Sequence, residues 1–127
     1  MRLLLDTHAL VWWMAGSPLL SDAARNAIAE NEEVLVSAAS AWEVATKFRL
    51  GKLPSAERLA RGFAAEVAQE GFQGLAVTLD HAALAGGLDA APKDPFDRLL
   101  IAQARIERMP LVSSEKLFDA FGVERIW

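Results

Sequence analysis

The chain has 127 residues, 53% of them hydrophobic, no cysteine, and a formal charge of −4 from 13 basic and 17 acidic side chains. That length suits one domain with a sizeable core. The composition excludes a disordered chain, a disulfide framework, a thiolate zinc site and a cysteine nucleophile, and the acidic balance argues against broad electrostatic binding of nucleic acid. A nucleic-acid enzyme is not excluded, because the acidity can be concentrated in one site and offset there by a bound divalent cation. No apolar run approaches the roughly 18 residues of a membrane span. The apolar stretch 9–15 is short and follows Asp6 and His8, so it reads poorly as a leader. A cytoplasmic location is the default expectation.

Leu3-Leu4-Leu5 predicts a first strand that is buried on both faces, ended at once by Asp6. A charge is costly to desolvate, so Asp6 belongs at the strand's mouth and not in the core. Residues 7–15 follow as a short helix, with Leu10, Trp13 and Met14 at helical spacing, and Gly16-Ser17-Pro18 breaks it. Ser21 caps a second helix to residue 30. Val34-Leu35-Val36 is the next strand, ended by Ser37. A helix over 38–50 is closed by Gly51, and one over 56–70, opened by Pro54-Ser55, is stopped by Gly71. Leu75-Ala76-Val77 predicts a third strand. Thr78 or Asp80 caps a helix to about residue 88, and residues 89–93 form a loop. Asp94-Pro95 opens a strong helix to residue 108, since proline is favoured at the first helical position. Pro110-Leu111-Val112 is the fourth strand, 114–121 a short helix or turn, and 123–127 a terminal strand. Short strands alternating with helices point to an α/β fold, a three-layer α/β/α sandwich around a mainly parallel sheet of four to five strands. No repeat or linker divides the chain, so residues 1–127 are one domain.

In such a sheet ligands bind at the carboxyl ends of the strands. Asp6, Glu43, Asp94, Asp97 and Glu115 all follow strands or open helices at that edge. Hard oxygen donors at one locus suit Mg²⁺ or Mn²⁺. Each also has a plain structural reading. Asp6 and Asp94 are good helix caps. Ser40 to Glu43 matches the S-x-x-E capping box, and Glu43 can pair with Lys47 one turn on. Asp97 complements a helix N-terminus or pairs with Arg98, and Glu115 suits a solvated turn. Thr7 and Ser113, beside carboxylates, either orient water or satisfy backbone groups. His8 is a thin candidate for substrate contact, and His81 looks structural. Two histidines without His–Glu spacing argue against zinc, and no Gly-rich phosphate loop or nucleophile elbow is present. Lys47, Arg49, Lys52, Lys93 and Arg98 are candidates to hold phosphates, with salt-bridged or solvated roles as the plain alternative. Adjacent Trp12 and Trp13 are hard to bury against one element, so one of them is expected to face a partner.

Leu4-Leu5-Asp6-Thr7-His8, Ser37-Ala38-Ala39-Ser40-Ala41-Trp42-Glu43, the run from Lys93-Asp94-Pro95-Phe96-Asp97-Arg98 to Ala104, and Leu111-Val112-Ser113-Ser114-Glu115 together resemble the successive motifs of PIN-domain proteins, in particular VapC-type toxins of bacterial toxin–antitoxin pairs. Asp-Pro-Phe-Asp-Arg is the most specific part. The resemblance implies a PIN-like fold and a Mg²⁺- or Mn²⁺-dependent endoribonuclease that uses metal-activated water. It implies a catalytic quartet of Asp6, Glu43, Asp97 and, in the place usually held by aspartate, Glu115. Asp6, Glu43 and Asp97 would hold the metal, with Asp94 beside them as cap or supporting ligand. It further implies an RNA substrate, a cognate antitoxin that fills the groove near the site, and a homodimer. The alternative is a catalytically inactive PIN-fold module that binds RNA or protein.

Overall fold

A computed structural model describes residues 1–90 and 92–127. Five strands form one sheet in the order β3-β2-β1-β4-β5, every neighbouring pair parallel. In chain order the elements are β1 (Arg2–Leu5), α1 (Thr7–Ala15), α2 (Asp22–Glu30), β2 (Glu33–Ser37), α3 (Ala38–Arg49), α4 (Glu57–Arg61), α5 (Phe63–Gln69), β3 (Gln73–Leu75), α6 (Leu79–Gly87), α7 (Pro95–Glu107), β4 (Leu111–Val112) and β5 (Arg125–Ile126). Short 3-10 turns lie at Pro54–Ala56 and Lys116–Phe121.

The leucine run explains the central place of β1. Side chains alternate across a strand, and here each face meets its own apolar layer. Leu3 and Leu5 join Val34, Val36 and Val112 beneath α1, α2, α3, α4 and α5, through Leu10, Ile28, Val44, Leu59 and Val67. Leu4 joins Leu35 and Leu111 beneath α7, through Leu100, Ile101 and Ala104, together with Phe118. All three leucines are fully buried. Each such side chain taken from water stabilises the fold by about 1.5–3 kcal/mol, so β1 holds the two layers together.

Local chemistry ends most helices where the sequence places their ends. Ser21 caps α2 by accepting from the Ala24 N–H at 3.1 Å. Gly16 and Gly51, with φ of +62° and +73°, take the left-handed turns that close α1 and α3. Such turns strain any residue with a Cβ. Three expectations shift. The single helix over 56–70 is two, α4 and α5, interrupted at Gly62, the poorest helix former after proline. The third strand lies two residues earlier than Leu75-Ala76-Val77. β3 is an edge strand whose Gln73 and Gly74 are exposed, so it needs no apolar run. Its pairing ends where Leu75 meets Ser37, and the chain then leaves for the Thr78 cap. α7 stops at Glu107, with Arg108 in the left-handed region. The expected loop 89–93 includes Ala91, which lies outside the described residues.

The adjacent indoles go to different neighbours. Trp12 meets Trp127 at 5.7 Å and His8 at 5.6 Å between ring centroids, and Trp13 meets Phe72 at 6.1 Å. Both are half-buried against the core. The exposed tryptophan is instead Trp42, 59% accessible, edge-on to Phe96. Among the described residues no helix is long and apolar enough to cross a membrane.

Candidate functional site

Strand register builds the site. Leu5 pairs in register with both Val36 and Val112. The next residues, Asp6, Ser37 and Ser113, therefore leave three neighbouring strands side by side at the sheet's carboxyl edge. The Asp6 N–H donates to the Val112 carbonyl at 3.0 Å, which pins that exit.

Asp6 caps α1 by accepting from the Ala9 N–H at 2.7 Å. It sits at the mouth of β1 as expected, yet only 4% of it is accessible. Burial pushes its carboxyl pKa up, while hydrogen bonds from Ser113 and Ala9 pull it down. The cap of α3 is Ser37, whose hydroxyl accepts from the Ala39 N–H at 2.9 Å. Ser40 instead accepts from the Thr7 hydroxyl at 2.9 Å and ties α3 to the start of α1. The S-x-x-E capping box is thus not the arrangement here. Glu43 is buried one turn further along and hydrogen-bonds with Lys47. Asp94 caps α7, accepting from Phe96 N–H at 2.8 Å and Asp97 N–H at 3.1 Å. Glu115 stands exposed at the rim, its N–H held by the Ser113 hydroxyl at 3.0 Å.

Asp6, Glu43, Asp94, Asp97 and Glu115 line one cleft of about 210 Å³, with His8, Thr7 and Lys47. All the expected acidic residues therefore meet in one place. Their crowding has an electrostatic signature. Burial, then the charges of Asp94, Glu43, Asp6 and Glu115, push the Asp97 carboxyl up from 3.8 to about 7. The site holds more negative charge than its surroundings can stabilise.

The donor set is all carboxylate, which matches the hard-oxygen preference of Mg²⁺ or Mn²⁺. The arrangement is open, however. Among the described residues no three His, Cys, Asp or Glu side chains stand together as a ready ion cage. Asp94 is turned to the α7 backbone and Glu43 to Lys47. The chemistry of the donors fits a divalent cation.

The other candidates separate cleanly. Arg98 reaches the carbonyls of Ala85 at 2.9 Å, Leu88 at 2.9 Å, Gly86 at 3.2 Å and Pro92 at 3.3 Å. It clamps the end of α6, and no ion pair joins it to Asp97 among the described residues. Arg49, Lys52 and Lys93 are exposed. His81 is buried and structural: its Nδ1 accepts from the Thr78 N–H at 3.0 Å, so its Nε2 donates to Glu107 at 2.9 Å. Leu100 and Leu117 also line the cleft, and nothing but their apolarity marks them in the sequence. A larger groove of about 450 Å³ runs between α1 and α4–α5, where Glu66 pairs with Arg58 at 3.1 Å. It holds no comparable convergence of acids.

The PIN domain family profile matches residues 3–124. The chain belongs to the PIN domain family. No curated protein sequence matches it. Among solved structures, this PIN domain is similar to VapC20 of Mycobacterium tuberculosis, described as a Sarcin-Ricin loop cleaving toxin, at 19% identity over 96% of each chain with a TM-score of 0.71. It is also similar to FitAcB from Neisseria gonorrhoeae, at 18% identity over 98% of this chain and 96% of that one, TM-score 0.68. A toxin–antitoxin complex from Klebsiella pneumoniae matches at 18% identity over 95% and 93% of the two chains, TM-score 0.67. At these identities the likeness establishes the fold.

Proposed function

We propose that this PIN domain is a Mg²⁺- or Mn²⁺-dependent endoribonuclease and the toxin of a toxin–antitoxin pair. The observation that carries the reading is the convergence of Asp6, Glu43 and Asp97, flanked by Asp94 and Glu115, in one cleft at the carboxyl edge of the sheet. Two structural neighbours, one described as a loop-cleaving toxin and one as a toxin–antitoxin complex, support the biological setting.

Asp6, Glu43 and Asp97 would hold the ion, with Asp94 in support. When bound, a divalent cation supplies Lewis acidity, offsetting charge on the scissile phosphate and making water more acidic. The chain's own residues do the positioning. Ser113 and the Ala9 N–H orient the Asp6 carboxylate, and the α7 cap of Asp94 fixes where Asp97 starts its helix. Lys47, which lines the cleft, would meet a phosphate there, and Glu115 at the rim would orient water. In solution the protein would act in the cytoplasm as a homodimer and be silenced by a cognate antitoxin.

The inactive-module reading is favoured by one feature. Glu115, exposed at the rim, stands where the resemblance expects an aspartate. Incubating the purified protein with structured and single-stranded RNA, in Mg²⁺, Mn²⁺ or EDTA, separates the two. Cleavage is expected only with metal, and Asp6→Asn should reduce it at least about a hundredfold. Equal cleavage by wild type and Asp6→Asn would sink the nuclease reading, and RNA binding without cleavage in any metal would establish the module.

A further inference from the structure

Lys47 stands inside the acidic cleft, hydrogen-bonded to Glu43 one helical turn before it. Among the described residues lining that cleft it is the only lysine or arginine, facing five carboxylates. Positions four apart share a helix face, so α3 delivers both groups to the same spot. The Glu43 side chain is 5% accessible and that of Lys47 is 29%. The pair is therefore shielded from the water and salt that make exposed ion pairs weak. Beyond Glu43, the cleft brings this ammonium together with Asp6, Asp94, Asp97 and Glu115. Arg98, by contrast, does not line the cleft and gives four hydrogen bonds to backbone carbonyls.

We propose that Lys47 is a built-in counter-cation, which holds Glu43 and balances the acidic cluster until a divalent cation displaces it. The inference rests on the metal-dependent reading above. One Glu43 oxygen already holds the ammonium, so an incoming ion competes with Lys47 for this carboxylate. An ion approaching the cleft also meets the like charge of Lys47. Both effects weaken metal binding, and both steady the cluster when metal is scarce. The same pairing accounts for the open arrangement of the acids, because it turns Glu43 toward the later part of α3.

The test is Mn²⁺ binding by titration calorimetry on the full-length, metal-free protein, comparing wild type, Lys47→Met and Lys47→Arg. Removing the unit positive charge that lines the cleft should make Lys47→Met bind Mn²⁺ about tenfold more tightly. Lys47→Arg, which keeps the charge, should stay within about threefold of wild type. Without metal, the urea midpoint of Lys47→Met should fall below that of wild type, and saturating Mn²⁺ should remove the difference. Lys47→Gln is read the same way if the methionine variant does not fold. Mn²⁺ binding by wild type with equal or weaker binding by Lys47→Met overturns the counter-cation role and leaves the metal-dependent reading standing. Absence of Mn²⁺ binding in every form overturns both.

Discussion

Two aspartates at this site show how position decides chemistry. Asp6 and Asp97 are the same residue at the start of a helix, and burial raises the pKa of each. Asp6 receives hydrogen bonds from Ser113 and the Ala9 N–H, which favour its charged form. Asp97 instead faces the charges of Asp94, Glu43, Asp6 and Glu115, and its carboxyl rises to about 7. The sign of the stability effect follows. Between the unfolded value near 3.8 and about 7, the folded protein binds more protons at Asp97 than the unfolded chain does. Metal-free stability should therefore fall as pH rises across that window and level off above it. Urea unfolding in EDTA at pH 5 and pH 8 measures this, with the higher midpoint expected at pH 5. Asp97→Asn should shrink the difference without abolishing it, since Asp6 contributes in the same direction. A variant with the wild-type pH dependence would show that Asp97 is not the strained group.

At the scale of elements, the opening of α7 combines several tasks in five residues. Asp94 caps, Pro95 starts the helix, Phe96 meets Trp42, Asp97 enters the cleft, and Arg98 turns back to the end of α6. A charged residue next to an acidic motif suggests phosphate binding, but four carbonyls from Ala85 to Pro92 take up the Arg98 guanidinium. Arg98→Gln should cost roughly 2–3 kcal/mol of folding stability, because it strands acceptors that had a charged partner. Arg98→Lys should recover less than half, since a single ammonium cannot reproduce the planar fork. Denaturant titration checks both. Unchanged stability together with weaker RNA binding would instead return Arg98 to the phosphate site. Capping was legible one residue at a time, and Ser21, Thr78 and Asp94 cap as their sequences suggest. For α3 two serines were available. Ser37 takes the cap because β2 ends there, which leaves Ser40 to meet Thr7.

For the whole molecule, β1 carries the load from both sides. Its leucines divide between two apolar layers that share no helix, and the strand delivers Asp6 to the cleft. Leu4→Ala should destabilise the fold by about 2–5 kcal/mol, as a fully buried leucine with little room for its surroundings to collapse. Loss of less than about 1 kcal/mol in chemical denaturation would show that the α7 layer relaxes around the cavity. His81 reinforces that layer, as it ties the Thr78 cap of α6 to Glu107 of α7.

By itself the sequence determined the two-sided burial of Leu3-Leu4-Leu5, the parallel α/β order, most helix ends and the identity of the clustered acids. These follow from local rules: alternation, capping geometry, and the cost of burying a charge. Tertiary structure decided the rest. The extent of β3 depends on its partner's register, since an edge strand carries little apolar signal of its own. The roles of Ser40 and Arg98 depend on groups distant in sequence. The pairing of Glu43 with Lys47 was readable at a spacing of four residues, but its weight was not. Only the assembled cleft places that one ammonium among carboxylates drawn from four separate stretches of chain, an arrangement no local window contains.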